Sequence, residues 1–155
     1  MRRWASCTVL AWLLTAAAQA AEWRDDGHRV VARTGGEFAD IRGNLEQAII
    51  GAGLTVSTVG HVGEMLERTA PDLGFSGSPV GQAEVVEFCS ALLTRRMVEA
   101  NPADLVQCPY RIAVYTLPGD AGSVYLAFAK PTASGATPPL EAIEQLLRRL
   151  VDESL

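Results

Sequence analysis

Two cysteines, Cys89 and Cys108, carry the most distinctive chemistry in the sequence beyond its first 20 residues. Cys89 ends a predicted strand directly before a predicted helix, and the partial positive charge of a helix N-terminus lowers the pKa of a thiol. A reactive or metal-binding thiol is therefore chemically sensible at this position. In an oxidising compartment, two cysteines also favour a structural disulfide, and a pair of inert buried thiols is the third alternative.

His61 follows the second predicted strand, at the start of a short predicted helix. A histidine there can act as a metal ligand or proton shuttle, although an ordinary loop histidine is the simpler interpretation. Together with Cys89 and Cys108, it could complete a three-ligand site for a soft metal. The spacing of the three residues follows no known metal motif, so the sequence requires no cofactor.

Tyr110, Arg111 and Tyr115 lie close together on the predicted strand with the clearest alternation of apolar and polar residues. An arginine between aromatic rings can bind an anion, but it more often covers an exposed sheet face or contributes to an interface. Both interpretations, an anion site and an interface, stay open from the sequence.

Standard catalytic signatures are missing from the sequence, which contains no CxxC, HExxH, GxSxG, phosphate-binding glycine loop or EF-hand spacing. Glu84 and Glu87 could in principle act as an acid–base pair, but strands routinely carry such residues on their surfaces. We therefore assign no catalytic residue, and the sequence favours a protein that is not an enzyme.

Residues 1–20 have the features of a cleavable signal peptide. Arg2 and Arg3 precede an apolar run, and Ala18-Gln19-Ala20 supplies a small-x-small cleavage pattern. The apolar run of about 14 residues is shorter than the roughly 20 that a membrane-spanning helix needs. We therefore expect cleavage after Ala20, an exported protein that is periplasmic or secreted, and no stable membrane anchor.

The charge of the remaining chain excludes two classes of partner. Two of the 13 basic residues lie within the first 20 and none of the 18 acidic residues does, so cleavage changes the formal charge from −5 to −7. An acidic domain without a run of basic residues has little with which to neutralise phosphates. Nucleic acids and anionic membrane surfaces are therefore not expected as partners.

Periodicity predicts a single domain over residues 28–155, after a polar lead-in at 21–27. The predicted strands are 28–34, 54–59, 84–89, 110–117 and 124–130, and the predicted helices are 38–52, 62–70, about 90–100 and 140–151. This order, β-α-β-α-β-α-β-β-α, indicates an α+β fold with a mainly antiparallel sheet of about five strands and helices packed on one face. A doubly wound parallel sheet is the alternative, which the C-terminal hairpin disfavours.

The segment from Phe88 to Pro131 resembles the family known as domain of unknown function 302. It shares a strand ending at a cysteine, a helix, a proline-containing loop, a β-branched strand and a glycine-turn hairpin. Within this resemblance, Cys89 matches a cysteine position found in part of the family, and His61 matches a histidine that often follows the second strand. The resemblance implies a compact α+β domain that tends to dimerise, and it brings no established activity.

Two functional hypotheses follow from the sequence. The first is an exported, non-catalytic module that binds a small ligand or a partner protein, and the resemblance implies that it is a dimer. The second is a thiol-redox or metal-binding protein that uses Cys89 and Cys108 with His61 as a helper.

Overall fold

The structure is a computed structural model, and it describes residues 21–132 and 137–155. The predicted signal peptide lies outside the described residues. Two short 3-10 turns, Pro71–Leu73 and Pro102–Gln107, occur in the loops. The strands are β1 (Glu22–Asp25), β2 (Arg29–Gly35), β3 (Thr55–Gly60), β4 (Ala83–Cys89), β5 (Tyr110–Tyr115) and β6 (Ser123–Ala129). The helices are α1 (Phe38–Gly51), α2 (Val62–Thr69), α3 (Ala91–Ala100) and α4 (Pro138–Asp152).

The six strands form one sheet in the order β1-β2-β6-β5-β4-β3, and every neighbouring pair is antiparallel. This arrangement confirms the predicted α+β fold with a mainly antiparallel sheet, with six strands instead of about five. The predicted order of the other strands and of the helices is also confirmed.

The hydrophobic core lies between one face of the sheet and helices α1, α3 and α4. Alternation in the strands supplies one layer, because successive side chains of a strand point to opposite faces. In β5, for example, Tyr110, Ile112 and Val114 are buried, as the sequence predicts. Apolar residues three and four positions apart give α1 and α4 their matching buried stripes. The buried helix residues are Phe38, Ile41, Leu45, Ala48, Ile49, Met97, Leu140, Ile143, Leu146, Leu147, Leu150 and Val151. Within the described ranges, no helix has both the length and the apolar character needed to cross a bilayer.

The additional strand, β1, forms from the lead-in that the sequence predicts to be polar and irregular. All four of its residues are exposed, so the segment shows no apolar alternation in the sequence. It pairs with β2 in an antiparallel register, and Gly27 in the turn between the two strands has a positive φ of 86°. Backbone pairing at a sheet edge needs no apolar side chains, which is why periodicity misses this strand.

Asp25 ties β1 to the rest of the domain. Its carboxylate accepts hydrogen bonds from the Gly27 backbone N–H at 2.9 Å and from Lys130 Nζ at 3.1 Å. Arg148 Nη2 of α4 donates to the same carboxylate at 2.5 Å. Led by the Gly27 N–H, these donors lower the pKa of Asp25 from 3.8 to about 2.

We expect acid to weaken the fold through Asp25. A depressed folded-state pKa contributes stability that is present above pH 3.8 and is lost as the pH falls towards about 2. Asp25→Asn should therefore lose less stability between pH 5 and pH 2.5 than the parent protein, as measured by urea unfolding at each pH. The variant should still lose some stability in acid, because Arg29 lowers the pKa of Asp26 and Arg33 lowers that of Asp120. Equal losses in the two proteins would contradict the role of Asp25.

Candidate functional site

A cleft of about 600 Å³ lies between α2 and the start of β4. Its apolar part comes from Phe38, the first residue of α1, together with Val80 and Ala83. Its polar part comes from His61, directly before α2, and from Glu84 on β4. The exposed side of α2 adds Glu64, Glu67 and Arg68 to the lining.

Glu84 is the anchor of the polar wall of the cleft. It lies on the same face of β4 as the buried Val86 and Phe88, so its carboxylate faces the helical layer. Arg42 Nε of α1 donates a hydrogen bond to Glu84 Oε2 at 2.9 Å. His61 Nδ1 lies 3.3 Å from the other oxygen, Oε1. Both carboxylate oxygens therefore have a partner.

Arg42 supports the polar wall of the cleft through its hydrogen bond to Glu84. Its guanidinium is mostly buried, and its Nη1 also donates to Glu46 at 2.7 Å. Burial alone would lower the pKa of Arg42, but the hydrogen bonds to Glu46 and Glu84 outweigh burial and raise it. A permanent positive charge thus sits behind Glu84 and keeps its carboxylate in place.

Two glycines allow the segments around the cleft to approach closely. A Cβ atom added to Gly63, in the first turn of α2, would lie 2.8 Å from both the Ala83 nitrogen and the Gly81 oxygen. A Cβ atom at Gly81 would lie 2.5 Å from Thr116 Oγ1. Since the atoms facing Gly63 belong to the backbone, they have little freedom to move aside. The shape of the cleft therefore depends on a side chain being absent at position 63.

Cys89 and Cys108 lie side by side at the other end of β4. The structure joins them as a disulfide with the two Cα atoms 6.3 Å apart, which links the end of β4 to the loop before β5. Cys89 directly precedes Ser90, whose Oγ accepts a hydrogen bond from the Leu93 N–H and so caps α3. Both cysteines are partly exposed.

His61 is not brought to these cysteines. It contacts Glu84, which lies five residues before Cys89, a separation of about 16 Å along an extended strand. Within residues 21–132 and 137–155, no three His, Cys, Asp or Glu side chains converge as a metal site would require. The geometry thus places the predicted ligand set at two separate ends of β4.

Among residues 21–132 and 137–155, no helix covers the face of the sheet opposite α1, α3 and α4, which we call the uncovered face. Across its middle runs a row of small or aliphatic residues on neighbouring strands, Val31, Ala127, Ala113 and Val85. Beside this row, the rings of Tyr115 and Tyr125 stack with their centroids 5.2 Å apart. The face therefore offers an apolar, partly exposed strip.

A charged cluster borders the stacked tyrosines. Arg33 donates to both carboxylate oxygens of Asp120 at 2.9 Å, and Tyr125 Oη donates to the same group. Led by Arg33, these donors hold the pKa of Asp120 well below its usual range. Burial raises the pKa of Tyr115.

The predicted group of Tyr110, Arg111 and Tyr115 is divided between the two faces of the sheet. Tyr110 is buried in the core, where its hydroxyl bonds with Thr94 and burial raises its pKa. Arg111 and Tyr115 lie on the uncovered face, with Arg111 Nε 3.7 Å from Glu87 Oε1. Only Arg111 and Tyr115 are therefore placed to contribute to an interface on the uncovered face.

The sequence profile of the family described as domain of unknown function DUF302 matches residues 30–154. This match spans most of the chain. The chain belongs to the DUF302 family. No curated protein sequence matches it.

A solved structure supports the same fold for the DUF302 domain. It is described as the crystal structure of an uncharacterized conserved DUF302 protein from Bacillus stearothermophilus. It superposes with a TM-score of 0.68 at 18% identity and covers 83% of this chain and 99% of that one. At this level of identity, the similarity concerns the fold alone.

The role of Glu84 and Arg42 in this DUF302 domain is not evident from sequence motifs. The sequence does indicate that Glu84 needs a partner, because it falls on the apolar face of a strand, where an unpaired charge is costly. Its partner, Arg42, lies 42 residues away on another element. The sequence does not identify which of the arginines reaches it.

The same substitution at two helical glycines should have opposite effects. Gly63→Ala places a methyl group 2.8 Å from backbone atoms, and overpacking of this kind costs about 1–3 kcal/mol. Gly43→Ala in α1 meets no atom within 4 Å and should stabilise by about 0.5–1 kcal/mol, because alanine favours the helix. Urea unfolding of the two variants checks the sign of each change. A neutral Gly63→Ala would show that α2 moves away from β4 without cost.

Proposed function

We propose that this DUF302 protein is an exported, non-catalytic binding module that takes a small ligand in the cleft between α2 and β4. The observation that carries this proposal is the combination of an apolar floor at Phe38 with polar groups at His61 and Glu84 in one cleft of about 600 Å³. Ligand sites in proteins have this size and this mixture of surfaces.

The partners of Glu84 argue against its acting as a general acid or base. A general acid or base needs a carboxylate that is free to exchange a proton with the reacting group. Glu84 instead bonds to Arg42 through one oxygen and faces His61 through the other. The carboxylate thus serves to position the imidazole.

Ligand binding is tested with ¹⁵N NMR on the mature chain and a set of small fragments that includes cations, anions and neutral aromatics. Perturbed resonances should cluster at α2 and the start of β4. Val80→Trp, which fills the cleft, should abolish them, whereas Val106→Trp on an exposed loop should not. Perturbations that avoid the cleft, or substrate turnover that His61→Ala abolishes, would overturn the proposal.

Export rests on the n-region, apolar run and cleavage pattern within residues 1–20. The intact mass of the protein purified from an oxidising bacterial periplasm tests it. The expected chain starts near Ala21, and a chain that retains Met1 would overturn it.

We also propose that the protein acts as a homodimer that pairs its uncovered sheet faces. Six strands about 4.8 Å apart make a face of roughly 25 by 20 Å, so two copies would bury about 1,000 Å², near the lower end for a stable interface. Ala113→Arg places a charge in the middle of the apolar row and should give a monomer in sedimentation velocity. Ala91→Arg, at the exposed start of α3, is the matched control and should remain dimeric. A parent protein that is monomeric at tens of micromolar would exclude this mode.

A thiol-redox role is the second candidate function, favoured by the partly exposed Cys89–Cys108 pair. In this case, the reduced protein should react rapidly with a thiol reagent at Cys89, directly before the capped N-terminus of α3. Slow reaction of both thiols, at the rate of an unperturbed cysteine, would exclude this role.

A further inference from the structure

We propose that the cleft between α2 and β4 selects small organic monocations, namely primary amines attached to an apolar body. This inference rests on the proposed binding function and specifies its ligand class. It follows from the charges around the cleft, from the acceptor that His61 presents, and from the apolar floor.

The charges lining the cleft favour a positive ligand. Three glutamates line it against one arginine, Arg68. Arg42 is bonded to Glu84 and to Glu46, so Glu64 and Glu67 are the two carboxylates of the lining that Arg42 does not contact. Glu67 accepts a hydrogen bond from the Ser78 N–H at 3.0 Å and so helps to hold the opposite wall.

Glu64 is the carboxylate best placed to meet a ligand. It lies on the exposed side of α2, three residues after His61 and therefore on the same side of the helix. Among the described residues, it forms no salt bridge or side-chain hydrogen bond. An exposed carboxylate at the mouth of an apolar cleft attracts an ammonium group electrostatically.

His61 adds a ring nitrogen, Nε2, to this acidic rim. Its Nδ1 faces Glu84 at 3.3 Å, and a carboxylate can only accept, so the contact favours a proton on Nδ1. In the tautomer with its proton on Nδ1, the other ring nitrogen, Nε2, carries a lone pair. The side chain is 56% exposed, so this lone pair is accessible to an N–H donor from a ligand.

The floor of the cleft fits the apolar body of such a ligand. Phe38 lies below the rim, and Val80 and Ala83 form the adjoining wall. A phenyl or short alkyl group seated there would place an attached ammonium near the rim of His61 and Glu64.

Three probes of the same shape and different charge test the inference by NMR titration of the mature chain at pH 7.5. They are 2-phenylethylamine, which is a cation, 2-phenylethanol, which is neutral, and phenylacetate, which is an anion. We expect the amine to bind most tightly and to perturb the cleft resonances. Phenylacetate should bind at least tenfold more weakly.

Charge variants on the exposed side of α2 provide the second arm of the test. Glu64→Gln should weaken amine binding about two- to fivefold, and Arg68→Gln should strengthen it by a similar factor, since exposed charge pairs contribute modestly. Glu99→Gln on α3 is the matched control and should leave the affinity unchanged.

The outcomes separate this inference from the function on which it rests. If phenylacetate or phenylethanol binds the cleft as well as the amine does, the cleft is a binding site and the cation selectivity is wrong. An unchanged affinity in Glu64→Gln would overturn the selectivity in the same way. If none of the three probes perturbs the cleft, the inference fails, and the wider fragment set decides the proposed function separately.

Discussion

Truncation of Phe88 to alanine is expected to lower the free energy of unfolding by about 3–5 kcal/mol. Phe88 is fully buried on β4, and its ring meets the ring of Tyr110 edge to face, with centroids 6.0 Å apart. Removing the ring loses its transfer free energy, and it leaves a cavity that the surrounding sheet and helices fill only in part. Urea unfolding monitored by circular dichroism measures the change.

Leu105→Ala is the matched control for this truncation. Leu105 is 57% exposed in the loop before β5, so its loss should change the stability by no more than about 0.5 kcal/mol. If Phe88→Ala lowers the free energy of unfolding by less than about 1.5 kcal/mol, the prediction is wrong and the core around β4 closes the cavity.

The apolar periodicity of the sequence is sufficient to predict most of this fold. Apolar residues recur three and four positions apart from Phe38 to Ala52, and the five of them that lie within α1 are buried, whereas Ala52 lies just beyond the helix. In α3, Met97 is fully buried, whereas the equally apolar Leu92 is 59% exposed. Leu93, the next residue, packs against the core instead, so Leu92 lies on the other side of the helix. Side-chain patterns thus predict a helix well and the residues of its buried face less well.

The sequence identifies the residues of the site better than it predicts which of them come together. His61, Cys89 and Cys108 were identifiable from their chemistry, since few residue types can ligate a metal or change oxidation state. Their grouping depends on which end of β4 each one occupies, and strand register is a property of the assembled sheet. The contact between Arg42 and Glu84 has the same origin, because it forms only once α1 packs on β4.

The two ends of β4 perform separable tasks. At one end, the contact of Glu84 with His61 and Arg42 forms the polar wall of the cleft. At the other end, the Cys89–Cys108 bridge fastens the loop before β5. Because about 16 Å of strand separates them, changes at the bridge should leave the cleft intact. The role of the cysteines can therefore be tested by replacing them without altering the cleft.

Replacing both cysteines by serine is expected to lower the free energy of unfolding by about 3 kcal/mol. The bridge spans 19 residues, and in the chain-entropy model a closed loop of this length restricts the unfolded chain by about that amount. Reducing the parent protein with dithiothreitol should cost the same. Thermal unfolding of the oxidised, reduced and Cys89→Ser/Cys108→Ser proteins measures the three stabilities.

Binding to the cleft is the readout that distinguishes a structural bridge from a functional one. If the cysteines are structural, the double variant should bind the cleft fragments with the parent affinity at a temperature where both proteins are folded. If the parent and double variant are equally stable, the bridge does not stabilise the fold. Rapid reaction of the reduced parent with a thiol reagent would then favour the redox function. The combination of stability and thiol reactivity therefore assigns one role to Cys89 and Cys108, because a structural bridge changes the first quantity and a redox centre requires the second.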